Sequence, residues 1–111
     1  MEKEFQITGT SLIIHLPAEV DHHSASRLKE TADRLIQEEN IRRIVFDFEQ
    51  TGFMDSSGIG MIVGRYKNIR FMGGTVIAIR VSERIRRLLT MSGIYKVMDI
   101  YEDLPRQSGL L

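Results

Sequence analysis

The sequence predicts one α/β domain, built on a largely parallel sheet of about five strands with helices packed on it. Its 111 residues match the length of a single domain with one hydrophobic core. The hydrophobic share of 42% and the charged share of 27% are those of an ordinary globular chain. After an opening pair of strands, strand-like and helix-like segments alternate, which favours βαβ crossovers between parallel strands. We therefore treat residues 1–111 as one domain.

The chain opens with a predicted β-hairpin. Residues 4–8 are a short strand, residues 9–10 (Gly-Thr) its turn, and residues 11–16 a second strand. Alternation along the second strand places Leu12, Ile14 and Leu16 on one face. Pro17 ends this strand, because proline has no amide hydrogen to donate to the next ladder position.

A helix and a central strand follow the hairpin. Residues 21–39 carry apolar side chains at helical spacing, and Asp21 or Ser24 is the expected N-cap. Residues 41–48 form an apolar run dense enough for a strand in the middle of the sheet. The inward side chains of the helix are Ala25, Leu28, Ala32, Leu35 and Ile36.

A second helix and a fourth strand come next. The helix runs from Ser57 to about Ile69, and Gly73-Gly74 breaks the chain before a strand at residues 75–81. Helical spacing predicts a core stripe on this helix that consists of Ile59, Ile62, Val63, Tyr66 and Ile69.

The last part of the chain is a third helix and a short strand. Ser82 is the expected N-cap of this helix, and Gly93 is the expected residue after its end. Residues 97–101 form the final strand. The tail from Glu102 is weakly patterned, and we expect fraying there.

The turn before the second helix holds the most informative residues of the chain. Asp55-Ser56-Ser57-Gly58 places an acidic group and hydroxyls at a helix N-terminus, where amide groups are free and the helix dipole is positive. Such a place suits an ordinary N-cap and it also suits a phosphate. Asp21 and Asp55 both follow strands of the predicted sheet. Both therefore fall at its carboxyl edge, where sites in such folds gather.

The second helix is unusual in carrying three glycines, Gly58, Gly60 and Gly64. An interior glycine costs a helix about 1 kcal/mol relative to alanine, so each needs a reason. One explanation is close packing on the sheet. The other is a docking surface on the exposed side of the helix, with Met61 and Arg65 as contacts.

Other chemistries fit the sequence poorly. Asp21-His22-His23 suggests a metal site, but adjacent helical side chains diverge by about 100° and no second cluster completes it. Ser56 with a histidine suggests a hydrolase, but only half of the nucleophile-elbow pattern is present. The arginines around the third helix are best interpreted as a solvent-exposed helix face. A surface that docks a partner is the second interpretation. We expect no catalysis, no metal and no cofactor.

The composition indicates which classes of partner and which cellular compartment to expect. Lys plus Arg equals Asp plus Glu at 15 each, so no overall field attracts nucleic acid or an anionic membrane. The chain has no cysteine, and no apolar stretch reads as a signal peptide or a membrane span. We therefore expect a cytoplasmic protein that contacts neither nucleic acid nor membrane.

Four segments together resemble the anti-sigma factor antagonists of the STAS-domain superfamily. They are residues 19–24 (EVDHHS), 53–60 (FMDSSGIG), 64–67 (GRYK) and 91–96 (MSGIYK). The resemblance is strongest to antagonists of the sporulation pathway of sigma factor F. An antagonist of a general stress or other sigma pathway is the alternative.

The resemblance implies a STAS fold and a partner switch. Ser56 corresponds to the phosphorylated serine of the family, and Ser57 is a weaker candidate. The partner is an anti-sigma factor serine kinase bound to ATP or ADP, and a serine phosphatase reverses the modification. We expect a monomer in the free state. The predicted partner contacts are Asp21, Asp55, Ser57, Gly58, Gly60, Met61, Gly64 and Arg65.

Overall fold

The computed structural model of the protein describes residues 3–104. In this range the chain forms seven strands, three α-helices and one 3₁₀ turn. In chain order they are β1 Phe5–Thr8, β2 Ser11–His15, β3 Glu19–Val20, α1 His22–Glu38, β4 Arg43–Asp47, β5 Phe53–Met54, α2 Ser56–Phe71, β6 Thr75–Ile79, α3 Glu83–Ser92, the 3₁₀ turn Ile94–Lys96 and β7 Asp99–Tyr101.

The main sheet has five strands in the order β1-β2-β4-β6-β7. β1 and β2 form an antiparallel hairpin, and the other three neighbouring pairs are parallel. Gly9 makes the hairpin turn with a φ of 60°, a left-handed conformation that glycine adopts without steric cost. The predicted α/β class, the opening hairpin and the mostly parallel five-stranded sheet are confirmed.

All three helices pack on one face of this sheet. Alternate residues of β2, β4 and β6 point to that face and join the helices in one core cluster, because successive side chains of a strand point to opposite faces. The strand residues of this core include Leu12, Ile14, Ile44, Phe46, Val76 and Ala78. The other face carries a smaller buried cluster of Ile13, Val45, Ile77 and Ile79, against which Leu104 packs.

An ionic cluster lies on this second face. The Asp47 carboxylate is buried, and its Oδ2 lies 2.8 Å from Nδ1 of His15. Arg80 has a left-handed φ of 56°, and its guanidinium pairs with Glu49 at 3.1 Å and Asp103 at 3.3 Å. Arg80 is therefore engaged at the end of β6 and is not part of the basic face of α3.

Two features of the fold differ from the sequence prediction, and a third prediction falls outside the described residues. A second sheet of two residues per strand, β3 and β5, was not predicted. α2 begins one residue earlier than expected, at Ser56, and it ends at Phe71 rather than near Ile69. The predicted fraying of the tail concerns mostly residues 105–111, which lie outside the described part of the chain.

Candidate functional site

The site is built where two helices begin side by side. The short strands β3 and β5 are parallel neighbours, with Val20 opposite Met54. The amide of Asp55 also donates a hydrogen bond to the carbonyl of Val20 at 3.1 Å. Asp21 and Asp55 are the next residues of the two strands, and each caps the helix that follows it. The pairing therefore brings the N-termini of α1 and α2 to one edge of the molecule.

The loop before β5 is fastened to the loop before β3. The buried Thr51 hydroxyl donates a hydrogen bond to the carbonyl of Pro17 at 2.9 Å. The amide of Gly52 donates to the carbonyl of Ala18 at 2.9 Å. These bonds satisfy polar backbone groups in chain segments that lie beyond the ends of the main-sheet strands. They also fix the register of the two short strands.

Asp21 caps α1 through a reciprocal pair of hydrogen bonds. Its side chain accepts from the Ser24 amide at 3.0 Å, and the Ser24 hydroxyl oxygen accepts from the Asp21 amide at 3.0 Å. The bond from the Ser24 amide lowers the pKa of the Asp21 carboxyl, because it stabilises the ionised form. Of the two caps that the sequence allowed, Asp21 is the one observed.

Asp55 caps α2 through its carboxylate. Its carboxylate accepts hydrogen bonds from the amides of Ser57 at 2.9 Å and Gly58 at 3.4 Å. The capping interpretation of this acidic turn is confirmed. The Asp55 side chain is therefore directed at its own helix.

The two serines after Asp55 have different surroundings. Ser56 is the first residue of α2 and is exposed. Ser57 is half-buried and lines a groove between α1 and α2. Ser56 thus presents the more accessible hydroxyl at this helix N-terminus.

Gly58 is a packing residue. A Cβ atom at this position would lie 2.9 Å from Sδ of Met54 and 3.0 Å from Cγ1 of Val20, both too close. Only glycine lets the first turn of α2 rest on the two-stranded sheet. Because Gly58 is buried, the structure does not support its predicted role as a direct partner contact.

Gly60 and Gly64 are different, because a Cβ atom at either position would meet nothing within 4 Å. The packing explanation for these two glycines is therefore wrong. They line the groove between α1 and α2, hereafter the α1–α2 groove. Their missing side chains keep this groove open.

Met61 and Arg65 correct the prediction of an exposed docking face. Both are buried, with 5% and 4% of their surface exposed. α1 packs against α2 and covers them, so they line the α1–α2 groove instead of projecting from the helix. The groove also contains His22, Ala25 and Lys29 of α1.

Arg65 keeps unused hydrogen-bonding capacity. Its Nε lies 3.0 Å from Oδ1 of Asp33, an ion-pair distance without the alignment of a hydrogen bond. Its Nη1 is buried and has no hydrogen-bond partner among residues 3–104. Burial lowers the pKa of Arg65, and the charge of Asp33 opposes that shift.

The comparisons with known proteins agree with this geometry. The family model of the STAS domain matches residues 2–106. The chain belongs to the STAS domain family. The resemblance inferred from the sequence is thereby confirmed.

Relatives of this STAS domain by sequence are named as antagonists of anti-sigma factors. It is 41% identical to the anti-sigma F factor antagonist of Paenibacillus polymyxa over 83% of this chain and 79% of the relative. It is 31% identical to the anti-sigma-B factor antagonist of Bacillus subtilis (strain 168) over 78% of each chain.

Solved structures of similar proteins share the fold. The unphosphorylated form of the anti-sigma factor antagonist SpoIIAA is 26% identical, with a TM-score of 0.71 over 95% of this chain and 93% of that one. The phosphorylated form of SpoIIAA, a Bacillus protein, is 30% identical, with a TM-score of 0.70 over 88% and 92%.

Sequence reasoning missed part of this STAS domain's surface. His22 and Lys29 line the groove, and their spacing of seven residues on a helix was the available signal. Phe53 and Met91 are 49% and 84% exposed and lie beside a cavity that Arg84 and Arg87 also line. No helix in residues 3–104 has the length and apolar character of a membrane span.

Proposed function

We propose that this STAS domain is an anti-sigma factor antagonist whose binding to an anti-sigma factor serine kinase ends when Ser56 is phosphorylated. One observation carries the proposal. An exposed serine begins α2, and the same helix lines a groove that Gly60 and Gly64 leave open. A partner that enters the groove would lie next to that serine.

Ser56 is the better phosphoacceptor of the two serines. A kinase must place the hydroxyl in line with the γ-phosphate of ATP, which requires access from solvent. Ser56 is exposed, whereas Ser57 is half-buried at the groove. We therefore retain Ser56 as the phosphorylation site and Ser57 as a groove residue.

The chemistry of phosphate explains why modification would end binding. A phosphoserine adds −1.5 to −2 charges at neutral pH. In the free domain the N-terminus of α2 favours this charge, so the fold tolerates it. In a close interface the same charge lies near Asp55 and loses its water, which weakens the complex. The switch needs no refolding of the domain.

The proposed cycle has three steps. The unmodified domain binds the kinase and displaces its sigma factor, which is then free for transcription. The kinase transfers phosphate from ATP to Ser56, and the modified domain leaves. A serine phosphatase restores the hydroxyl. We assign the cycle to the sporulation pathway of sigma factor F, because the relative at 41% identity is named as an anti-sigma F factor antagonist.

The direct test is phosphorylation by the anti-sigma F kinase of the same organism. The chain is incubated with this kinase and ATP, and the modified residue is mapped by mass spectrometry. We expect phosphate on Ser56. Ser56→Ala should bind the kinase and resist modification, and Ser56→Asp should bind at least about tenfold more weakly because it carries charge into the interface. Phosphate on Ser57 alone, or equal affinity of all three forms, would contradict the proposal.

A second candidate is an antagonist in the general stress pathway. The 31% identity to an anti-sigma-B factor antagonist supports it. Side-by-side titration with the anti-sigma F and the anti-sigma B kinases separates the two. Tighter binding to the anti-sigma B kinase would assign the domain to the general stress pathway. The proposed switch at Ser56 would be unaffected by that result.

A further inference from the structure

We propose that the α1–α2 groove receives an acidic side chain of the kinase, with the guanidinium of Arg65 as its contact. This inference rests on the proposed function and adds the chemistry of the partner residue. It comes from the unsatisfied donors of Arg65, the charges that line the groove and the space above its glycines.

Arg65 is built to accept a further anionic partner. A guanidinium has five N–H donors, and Asp33 offers it one ion-pair contact at Nε. Only 4% of the surface of Arg65 is exposed, and its Nη1 has no acceptor in the described part of the chain. A buried donor without a partner costs about 1–3 kcal/mol. A carboxylate from outside would remove that cost with charge-assisted hydrogen bonds.

The other charges of the groove favour an acid. Lys29 of α1 lines it and carries a positive charge. None of the described residues that line the groove is acidic. Asp33 lies alongside and pairs with Lys29 at 3.8 Å and with Arg65, so a net positive charge remains. The capping carboxylates of Asp21 and Asp55 offset the positive ends of the two helix dipoles. The positive charge of the groove therefore comes from Lys29 and Arg65.

The glycines give the acidic side chain its way in. The positions that a Cβ atom of Gly60 or Gly64 would occupy are empty to 4 Å. Both glycines and Arg65 line the same groove. A partner segment can lie across this gap, and a small movement of the α1 side chains that cover Arg65 would let its carboxylate reach the guanidinium.

An acidic partner residue also accounts for the sensitivity to phosphorylation. Ser56 lies one residue before Ser57, which lines the groove. A phosphate on Ser56 would repel the incoming carboxylate, and within a desolvated interface that repulsion is weakly screened.

Charge reversal on α1 tests the inference with little risk to the fold. Lys29 and Arg34 are both exposed cations of α1 with an acidic partner four residues later, but only Lys29 lines the groove. We expect Lys29→Glu to weaken kinase binding about tenfold or more, and Arg34→Glu to change it less than about twofold. Equal affinities for the wild-type chain and Lys29→Glu would overturn the inference.

A complementary change in the kinase identifies the acid. Each exposed Asp or Glu of the kinase is changed to Lys in turn, and we expect one of these variants to restore binding to Lys29→Glu. Restoration by none of them would overturn the inference. The Asp33→Asn/Arg65→Gln double variant, which removes the buried charge of Arg65 together with its acidic partner, should also bind weakly while its circular dichroism stays native. If it binds like the wild-type chain, Arg65 is not the contact.

The proposed function and this inference fail in different ways. If the wild-type chain does not bind the kinase at all, the proposed function is wrong and the inference falls with it. If the wild-type chain binds and is phosphorylated on Ser56, but the Lys29 and Arg65 variants behave like it, only the inference is wrong.

Discussion

Met54 lies directly opposite Val20 in a parallel pair of strands that is only two residues long. This one pairing sets the relative position of α1 and α2, because each strand leads through a single capping aspartate into its helix. The pairing therefore determines where the two helices begin. It also determines the positions of the candidate phosphoacceptor and of the entrance to the groove. Small changes at Val20 or Met54 would therefore displace the whole site.

Gly58→Ala should destabilise the domain. The added methyl would lie 2.9 Å from Sδ of Met54 and 3.0 Å from Cγ1 of Val20, so the start of α2 has to shift. Overpacking of this kind costs about 1–3 kcal/mol. Urea denaturation followed by circular dichroism measures the change in the free energy of unfolding.

Gly60→Ala is the matched control, two residues further along the same helix. Its methyl group would meet open space, and alanine is the better helix former by about 1 kcal/mol. We expect this variant to be more stable than the wild-type chain. Destabilisation by both variants, to a similar degree, would show that the close contact at Gly58 is not what matters.

Asp33→Asn should lower stability through Arg65. The substitution removes the carboxylate that lies 3.0 Å from Nε and leaves a buried guanidinium without a counter-charge. Because the Asp33 side chain is 35% exposed, water moderates the loss, and we expect about 1–2 kcal/mol. The thermal or urea unfolding midpoint provides the measurement.

Glu38→Gln serves as the comparison for that variant. Glu38 pairs with Arg34 at 3.3 Å, but both side chains are more than half exposed, at 56% and 54%. A surface pair of this type contributes about 0–0.5 kcal/mol. A loss as large as that of Asp33→Asn would argue against a special role for burial at Arg65.

Asp21→Asn should reveal the charge of the α1 cap as a pH-dependent difference in stability. The pKa of Asp21 is lowered in the folded chain, so the folded state holds its proton less tightly than the unfolded state. The charge of Asp21 contributes fully to the free energy of unfolding at pH values above the pKa that Asp21 has in the unfolded chain. This contribution is lost as the pH falls through the lower pKa that Asp21 has in the folded chain. Urea midpoints of both proteins, measured from neutral pH to about pH 3, should converge at the acid end. If the difference between the two urea midpoints stays constant over this pH range, the substitution acts through the hydrogen bond of the cap and not through its charge.

We also expect the purified domain to hydrolyse neither simple esters nor phosphoesters, with or without divalent metal. The hydroxyl of Ser56 makes no hydrogen bond to a histidine or to any other residue in the range 3–104, and no group of three or more potential metal ligands occurs there. In the proposed cycle the kinase supplies the base and the magnesium-bound ATP. A hydrolysis rate abolished by Ser56→Ala would instead support an enzyme.

The main elements were predictable because their signals are local. The alternation of residues in β2 and the helical spacing in α1 each appear within one segment, as do the caps Asp21 and Asp55. The pair of β3 and β5 was not predictable in this way. Two residues carry no periodicity, and the strands exist only because segments 34 positions apart meet.

The burial of Met61 and Arg65 was missed for a related reason. α2 packs on the sheet and against α1, so its buried positions lie on more than one side of the helix. A helix with two covered sides has no single apolar stripe, and a buried arginine looks exposed until its partner on α1 is known. Asp33 supplied no signal, because its pairing with Arg65 joins two separate helices.

Side chains larger than hydrogen at positions 60 and 64 would make the domain more stable to heat but would hinder binding of the proposed partner. Replacement of poor helix formers on an open helix surface is an ordinary route to a more heat-tolerant protein, and both positions have space for a larger side chain. Each added side chain would also fill the space through which a partner is proposed to enter. Selection for stability alone would therefore close the groove, and the persistence of both glycines would mark lineages in which the partner is still present.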